Sequence, residues 1–212
     1  MADLKKWFAN KYGGRVEEVN SILNQIKQVE SNRRNIKQDS GDGKVGPGRG
    51  YYQFEKTAKD KETGEYIQSG AMTARNRLVN LYRKLGVIGK NEDPPKWLTQ
   101  DGMNDPRIGF DAMKLTEEQQ DSLVIADLYY KKVRGKSGYG NKLIKEALES
   151  NDARNLWVHA HWAGPEEDVD KKLEQFQRNV RITPVIPTSI AGDKLVEESI
   201  INQDRKGNIT EI

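Results

Sequence analysis

Apolar residues recur at helical spacing along most of the chain, and the breaks in that rhythm divide it into parts. Val16, Val19, Leu23 and Ile26 step by three and four, so they define one face of a helix over about 15–30. Glu30 falls four residues beyond Ile26, at the end of that face, whereas Glu17 and Glu18 point away from it. Ala71, Ala74, Leu78, Leu81 and Leu85 predict a second helix over about 69–85, with Gly86 as its stop. A third, over about 116–134, opens on the capping-box pattern Thr116-Glu117-Glu118-Gln119. Its apolar residues, Leu123, Val124, Ala126, Leu128, Tyr130 and Val133, cover more than one face, which marks it as the central buried helix. Shorter helices are expected at about 141–149, 152–162 and 166–179, the last two separated by Gly164-Pro165.

The intervening segments read differently. Residues 31–50 hold Gly41, Gly43, Gly46, Gly48 and Gly50 with Pro47, which dictates turns and leaves room for a short hairpin. The chain then becomes aromatic at Tyr51-Tyr52-Gln53-Phe54. Glycine directly before that run lets backbone approach a ligand closely. Residues 87–115 are irregular, with Trp97 and Phe110 expected to pin them to the core. The resulting fold class is mainly α, with at most a small β-hairpin near 40–54. Residues 1–14 form an N-terminal lead-in whose Trp7, Phe8 and Tyr12 can dock on the core, and 15–180 form one helical domain. Residues 181–212, proline-punctuated and β-branched at their start, form an extended C-terminal arm.

Composition narrows the chemistry. The 212 residues suit one domain, and a chain of that size buries roughly 70–75% of its extended surface, enough for a core without staples. There is no cysteine, which excludes disulfides, thiol catalysis and zinc–thiolate sites. His159 and His161 sit two apart, a spacing that diverges on a helix, and no carboxylate at helical spacing joins them, so no metal and no cofactor is expected. The net charge of +3 is compatible with an anionic polymer but too weak to imply nucleic acid without a localised patch. No apolar run approaches the ~20 residues of a membrane span. The N-terminal segment MADLKKWFANKYGG lacks the roughly 7–15-residue apolar core of a secretory signal. Glu30 closes the apolar face of the first helix. A carboxyl at the end of an apolar stripe is partly desolvated, which favours its protonated form; the other reading of the position is a helix-end glutamate turned to solvent.

Three pieces, in this order, resemble the lysozyme-like superfamily and most closely its lytic transglycosylase (SLT-type) branch. Glu30-Ser31 is similar to the family's catalytic Glu-Ser at the end of the first core helix. Gly50-Tyr51-Tyr52-Gln53 is similar to its Gly-Leu-Met-Gln turn, and Ala160-His161-Trp162-Ala163-Gly164-Pro165 to its Ala-Tyr-Asn-Ala-Gly-Pro motif. The resemblance covers roughly 15–180. It departs from the family at Tyr51-Tyr52, at His161-Trp162, and in a somewhat longer interval between Glu30 and Gln53.

The resemblance implies a lysozyme-like helical domain that cleaves the MurNAc–GlcNAc β-1,4 bond of peptidoglycan, with Glu30 as the single general acid/base. A hydrolytic lysozyme would recruit a second carboxylate, for which Asp39 or Asp42 is positioned; the Glu30-to-Asp39 interval resembles phage-type lysozymes, although their following threonine is Val45 here. Ser31 would support Glu30, and Gln53 would hydrogen-bond substrate. Gly50, Tyr51, Tyr52, His161 and Trp162 would complete the substrate site, with the aromatic rings offering stacking faces for sugars. The chain also resembles a phage virion component, expected in the virion or released to the bacterial wall or periplasm, with other virion proteins as possible partners of 181–212. A non-catalytic wall-binding or structural virion protein is the reading from another class.

Overall fold

The computed structural model describes residues 3–39, 44–131, 139–162 and 165–180, all within one compact unit, Met1–Ile182. The expected arm 181–212, Asp42, and Ala163-Gly164 of the third motif lie outside the described residues. The architecture is mainly α, with two small antiparallel sheets.

The first helix, α1 (Leu4–Tyr12), occupies what reads in sequence as a lead-in. Asp3 caps it by accepting the Lys6 N–H, and Gly13 ends it at φ 77°. Leu4, Phe8, Ala9 and Tyr12 are buried, and α1 packs on α2 (Val16–Ser31), α4 (Glu117–Tyr130) and α5 (Tyr139–Ser150). Phe8 and Tyr12 dock on the core as expected of this segment, and α1 as a whole is part of that core, because three later helices pack against its apolar face.

Helix α2 follows the predicted stripe, with Val19, Ile22, Leu23 and Ile26 buried. It starts where the Glu18 carboxylate accepts the Arg15 backbone N–H at 2.9 Å, and it ends in left-handed Asn32 and Arg33. Those two residues turn the chain into a three-stranded antiparallel sheet of order β1–β2–β3: β1 (Ile36–Asp39), β2 (Val45–Gly50) and β3 (Phe54–Glu55). Ile36 pairs with Gly50 and Lys37 with Arg49, and the register then shifts so that Asp39 meets Val45. A second ribbon pairs β4 (Ala58–Lys59) with β5 (Tyr66–Ile67), its turn closed on the Asp60 carboxylate. The sheet is thus larger than the expected hairpin, but it occupies the expected stretch.

Helix α3 (Gly70–Lys84) packs along α4, burying Ala71, Ala74, Leu78 and Leu81. The irregular stretch after it is held by fully buried Leu98 and Phe110, while Trp97 meets Tyr82 edge-on at 6.5 Å. Helix α4 has the predicted capping box, Thr116 with Gln119, and buries Leu123 through Ala126 without a break. It contacts α1, α3, α5 and the segment 157–162, which makes it the central element. It stops at Tyr130, four residues early, since Lys131 is already extended; 132–134 lie outside the described residues. The expected helix 152–162 is one short α-helical turn, α6 (Arg154–Leu156), continued by a π-helix over Trp157–Trp162. Helix α7 (Val169–Asn179) docks through Phe176, whose ring lies 5.6 Å from that of Trp157.

Candidate functional site

The end of α2, the sheet, the π-helix and α7 enclose a groove of about 700 Å³. Glu30 lines it, together with Gln53, Asp39, Trp157 and Trp162. The Glu30 side chain is 17% exposed: its stem continues the buried stripe of α2 while its carboxyl meets the groove. The Trp157 indole N–H donates to Glu30 Oε1 at 2.6 Å, so the carboxyl has a fixed donor on one oxygen. Trp157 is held in turn by burial to 1% exposure and by Phe176. π-Helical turns are concentrated at functional sites; this one presents Trp157 and His161 to the same carboxylate.

His161 stands behind Glu30, its Nε2 3.9 Å from Oε1. The same Nε2 lies 3.0 Å from the Tyr52 carbonyl, which can only accept. Nε2 therefore carries the hydrogen, and Nδ1 is left buried without a partner. Lys131 donates to the His161 carbonyl at 3.1 Å and lies 3.8 Å from Asp127, which also binds Arg77. Burial pushes the Lys131 pKa below the ordinary lysine value; the Asp127 carboxylate opposes that, Arg77 reinforces it, and Glu30 opposes it. The acid thus sits against a set of ordered polar groups on one side and a groove on the other.

The other residues singled out in sequence divide sharply. Ser31 is buried, its hydroxyl oxygen 2.8 Å from the Tyr51 carbonyl and 3.1 Å from Lys27 O, and so ties the end of α2 to the glycine-aromatic turn. Gly50, at φ 83°, makes room for the Gln120 amide rather than for a ligand: a Cβ there would run into Gln120 Oε1, which accepts the Tyr51 N–H at 2.9 Å. Tyr52 is a core residue, 1% exposed, whose hydroxyl donates to Asp121 at 2.5 Å; it offers no face to a sugar. Burial pushes its pKa well above the ordinary phenol value, with Asp121 adding to the effect. Tyr51 is half-buried against the core. Gln53, at φ 51°, lines the groove, but its amide nitrogen is occupied by the Gly50 and Ile36 carbonyls and its Oε1 is buried. Its role is to fix the turn. Gly50 and Tyr52 are reassigned for one reason: at both positions the turn lies against α4, meeting Gln120 and Asp121.

Trp162 is half-buried at the groove, with the Lys172 ammonium 5.6 Å from its ring centre, and remains available for stacking. Asp39 lines the same groove from β1. Among the described residues no cluster of His, Asp or Glu could hold a metal ion, and no helix is long and apolar enough to cross a membrane. Sequence reasoning missed Trp157, Gln120 and Lys131. Each acts across more than thirty residues of sequence or, for Lys131, through a backbone carbonyl thirty residues away, and no local spacing carries that information. Comparison with protein-family models, with curated proteins and with solved structures found no match for this chain.

Proposed function

We propose that the chain cleaves the β-1,4 bond between N-acetylmuramic acid and N-acetylglucosamine in peptidoglycan as a lytic transglycosylase, with Glu30 acting first as acid and then as base. The observation that supports this most is a carboxyl held by one fixed donor at the edge of an open groove: Glu30 receives Trp157 on Oε1 and lines a groove of about 700 Å³. The motif order Glu30-Ser31, Gly50 to Gln53 and Ala160 to Pro165 supports the choice of polymer. The mainly α fold with its small sheet beside the acid is compatible with a lysozyme-like domain, although fold alone does not carry function.

The chemistry follows from which oxygen is free. An N–H is aimed at Oε1, so the acidic proton belongs on Oε2. That proton passes to the glycosidic oxygen as the C1–O bond breaks and positive charge develops at C1. Glu30, now a carboxylate, takes the proton of the same sugar's C6 hydroxyl as O6 bonds to C1, leaving a 1,6-anhydro end. Trp162 offers its ring to a sugar face at the groove.

Hydrolysis is the second reading, favoured by Asp39 lining the same groove; there water replaces O6 and the product has a reducing end. The test is to incubate purified peptidoglycan with the wild-type chain, Glu30→Gln and Asp39→Asn, and to weigh the released muropeptides. Anhydro ends that depend on Glu30 but not on Asp39 are expected. Reducing ends that need both carboxylates would replace the first reading by the second. A wall left intact by the wild-type chain while the protein still binds it would sink both and leave a docking protein.

A further inference from the structure

The groove has one wall with a chemistry of its own. On α7, Val169, Leu173, Phe176 and Val180 pack on the core, while Lys172, Gln175, Arg178 and Asn179 line the groove. The helix carries five charged residues, Asp170, Lys171, Lys172, Glu174 and Arg178. Only cations among them, Lys172 and Arg178, reach the groove lining, together with two amides. The acids Asp170 and Glu174 do not. Arg34, just past the end of α2, adds a third cation to the same lining.

Among the described residues none of these three cations makes an ion pair; Lys172 donates to the Gln175 amide oxygen at 2.8 Å and lies over Trp162. Two other inward-facing cations do have carboxylate partners: Lys27 has Glu117 and Asp121, and Arg77 has Asp127. The groove's own carboxylates are Glu30, which accepts from Trp157, and Asp39 on β1. Guanidinium groups bind carboxylates in a two-pronged fashion, and two of them beside amide donors form a receptor for an acidic group.

We propose that Arg34 and the α7 wall, through Lys172 and Arg178, recognise the carboxylates of peptide stems attached to the glycan, so that the preferred substrate is the peptide-bearing strand and not the stripped one. The polymer's identity rests on the reading in the preceding section; the preference for an acidic substituent rests on the sorted charges of the wall. Trp162, which lines the same groove with Lys172 over its ring, gives the sugar that carries the stem a surface to lie on.

The experiment measures binding separately from cleavage. Glu30→Gln protein, which leaves the strand uncut, is titrated calorimetrically with a muramoyl tetrasaccharide carrying its peptides and with the same tetrasaccharide stripped by an amidase, the lactyl carboxyls so freed being capped as methylamides. The peptide-bearing form is expected to bind about tenfold tighter, the effect of two exposed charge contacts. In a protein that also carries Arg34→Gln and Arg178→Gln, that preference is lost; with Arg34→Lys and Arg178→Lys it is partly kept. Both arginines are exposed, so the variants are expected to melt like the parent. Equal affinity for the two strands, or a preference that survives the double substitution, overturns the inference. A preference that appears as expected while the wild-type chain cuts neither strand upholds the wall and removes the enzyme.

Discussion

Two carboxylates in this protein are each bonded to a large aromatic side chain from a distant segment, and they do opposite things. Asp121, on α4, is 4% exposed and receives Tyr52 at 2.5 Å, Lys5 at 2.7 Å and Lys27 at 3.3 Å. Its oxygens are saturated by a hydroxyl and two ammonium groups, and it holds α1, α2, α4 and the glycine-aromatic turn together. Glu30 is 17% exposed, receives one indole N–H at 2.6 Å, and opens on a groove. A saturated buried carboxylate is a structural tie, because each group around it is left uncompensated if it goes. A carboxylate with one oxygen held and the other free is oriented and still available to react.

The sharpest way to break this comparison is to neutralise each carboxylate in turn. Asp121→Asn leaves Lys27, itself 3% exposed, without half of its charge partners, and a loss of about 3–5 kcal/mol is expected in urea unfolding. Glu30→Gln is expected to lower muropeptide release by at least about 100-fold and to leave the unfolding midpoint close to that of the wild type. If the two variants exchanged these effects, the assignment of tie and acid would be reversed.

Removing the aromatic donors is the next step down. Tyr52→Phe keeps the ring and deletes the hydroxyl on Asp121, for an expected loss of about 1–3 kcal/mol in the same unfolding measurement. Trp157→Phe keeps an aromatic against Phe176 but frees Glu30 Oε1, and a fall of about 10–100-fold in release rate per folded molecule is expected from a misplaced acid. An unchanged rate in that variant would mean that the indole does not hold the acid.

The smallest effect is one of pH and concerns the buried phenols on the core side. Burial pushes Tyr12 from 10.0 up to about 12, and Tyr52 is raised as well. A phenol whose folded pKa is raised binds its proton more tightly in the folded state, so its contribution is complete below pH 10 and is lost as pH rises through the folded value. Stability is expected to fall above pH 10 less steeply in Tyr12→Phe than in the wild type, read from unfolding midpoints across that range.

The helices were legible because their signals are local. The stripe of α2, the capping box of α4 and the stop at Gly86 each lie within a few turns of chain, and propensity and burial there agree. Glu30 was legible for the same reason, as the terminal member of a stripe. The residues around it were not. Tyr52 read as a sugar platform because it is an aromatic in the turn that resembles Gly-Leu-Met-Gln, and only the path of the chain turns it inward to Asp121. Gly50 read as an approach for ligand, and only the fold brings Gln120 to that spot. The stretch before Gly13 showed residues that could dock, Trp7, Phe8 and Tyr12, but not what they dock on, since the partners come from three later segments.

The sequence by itself therefore determined the periodic elements, the mainly α class and the one carboxyl placed at the end of a buried face. Those depend on neighbours three and four residues away, which any reading of the chain contains. The tertiary structure alone decided that Trp157 holds that carboxyl, that Tyr52 is a tie and not a platform, and that α7 turns two cations and two amides towards the groove. Contacts spanning 69 and 127 residues are set by how helices pack, and packing is a property of the whole chain.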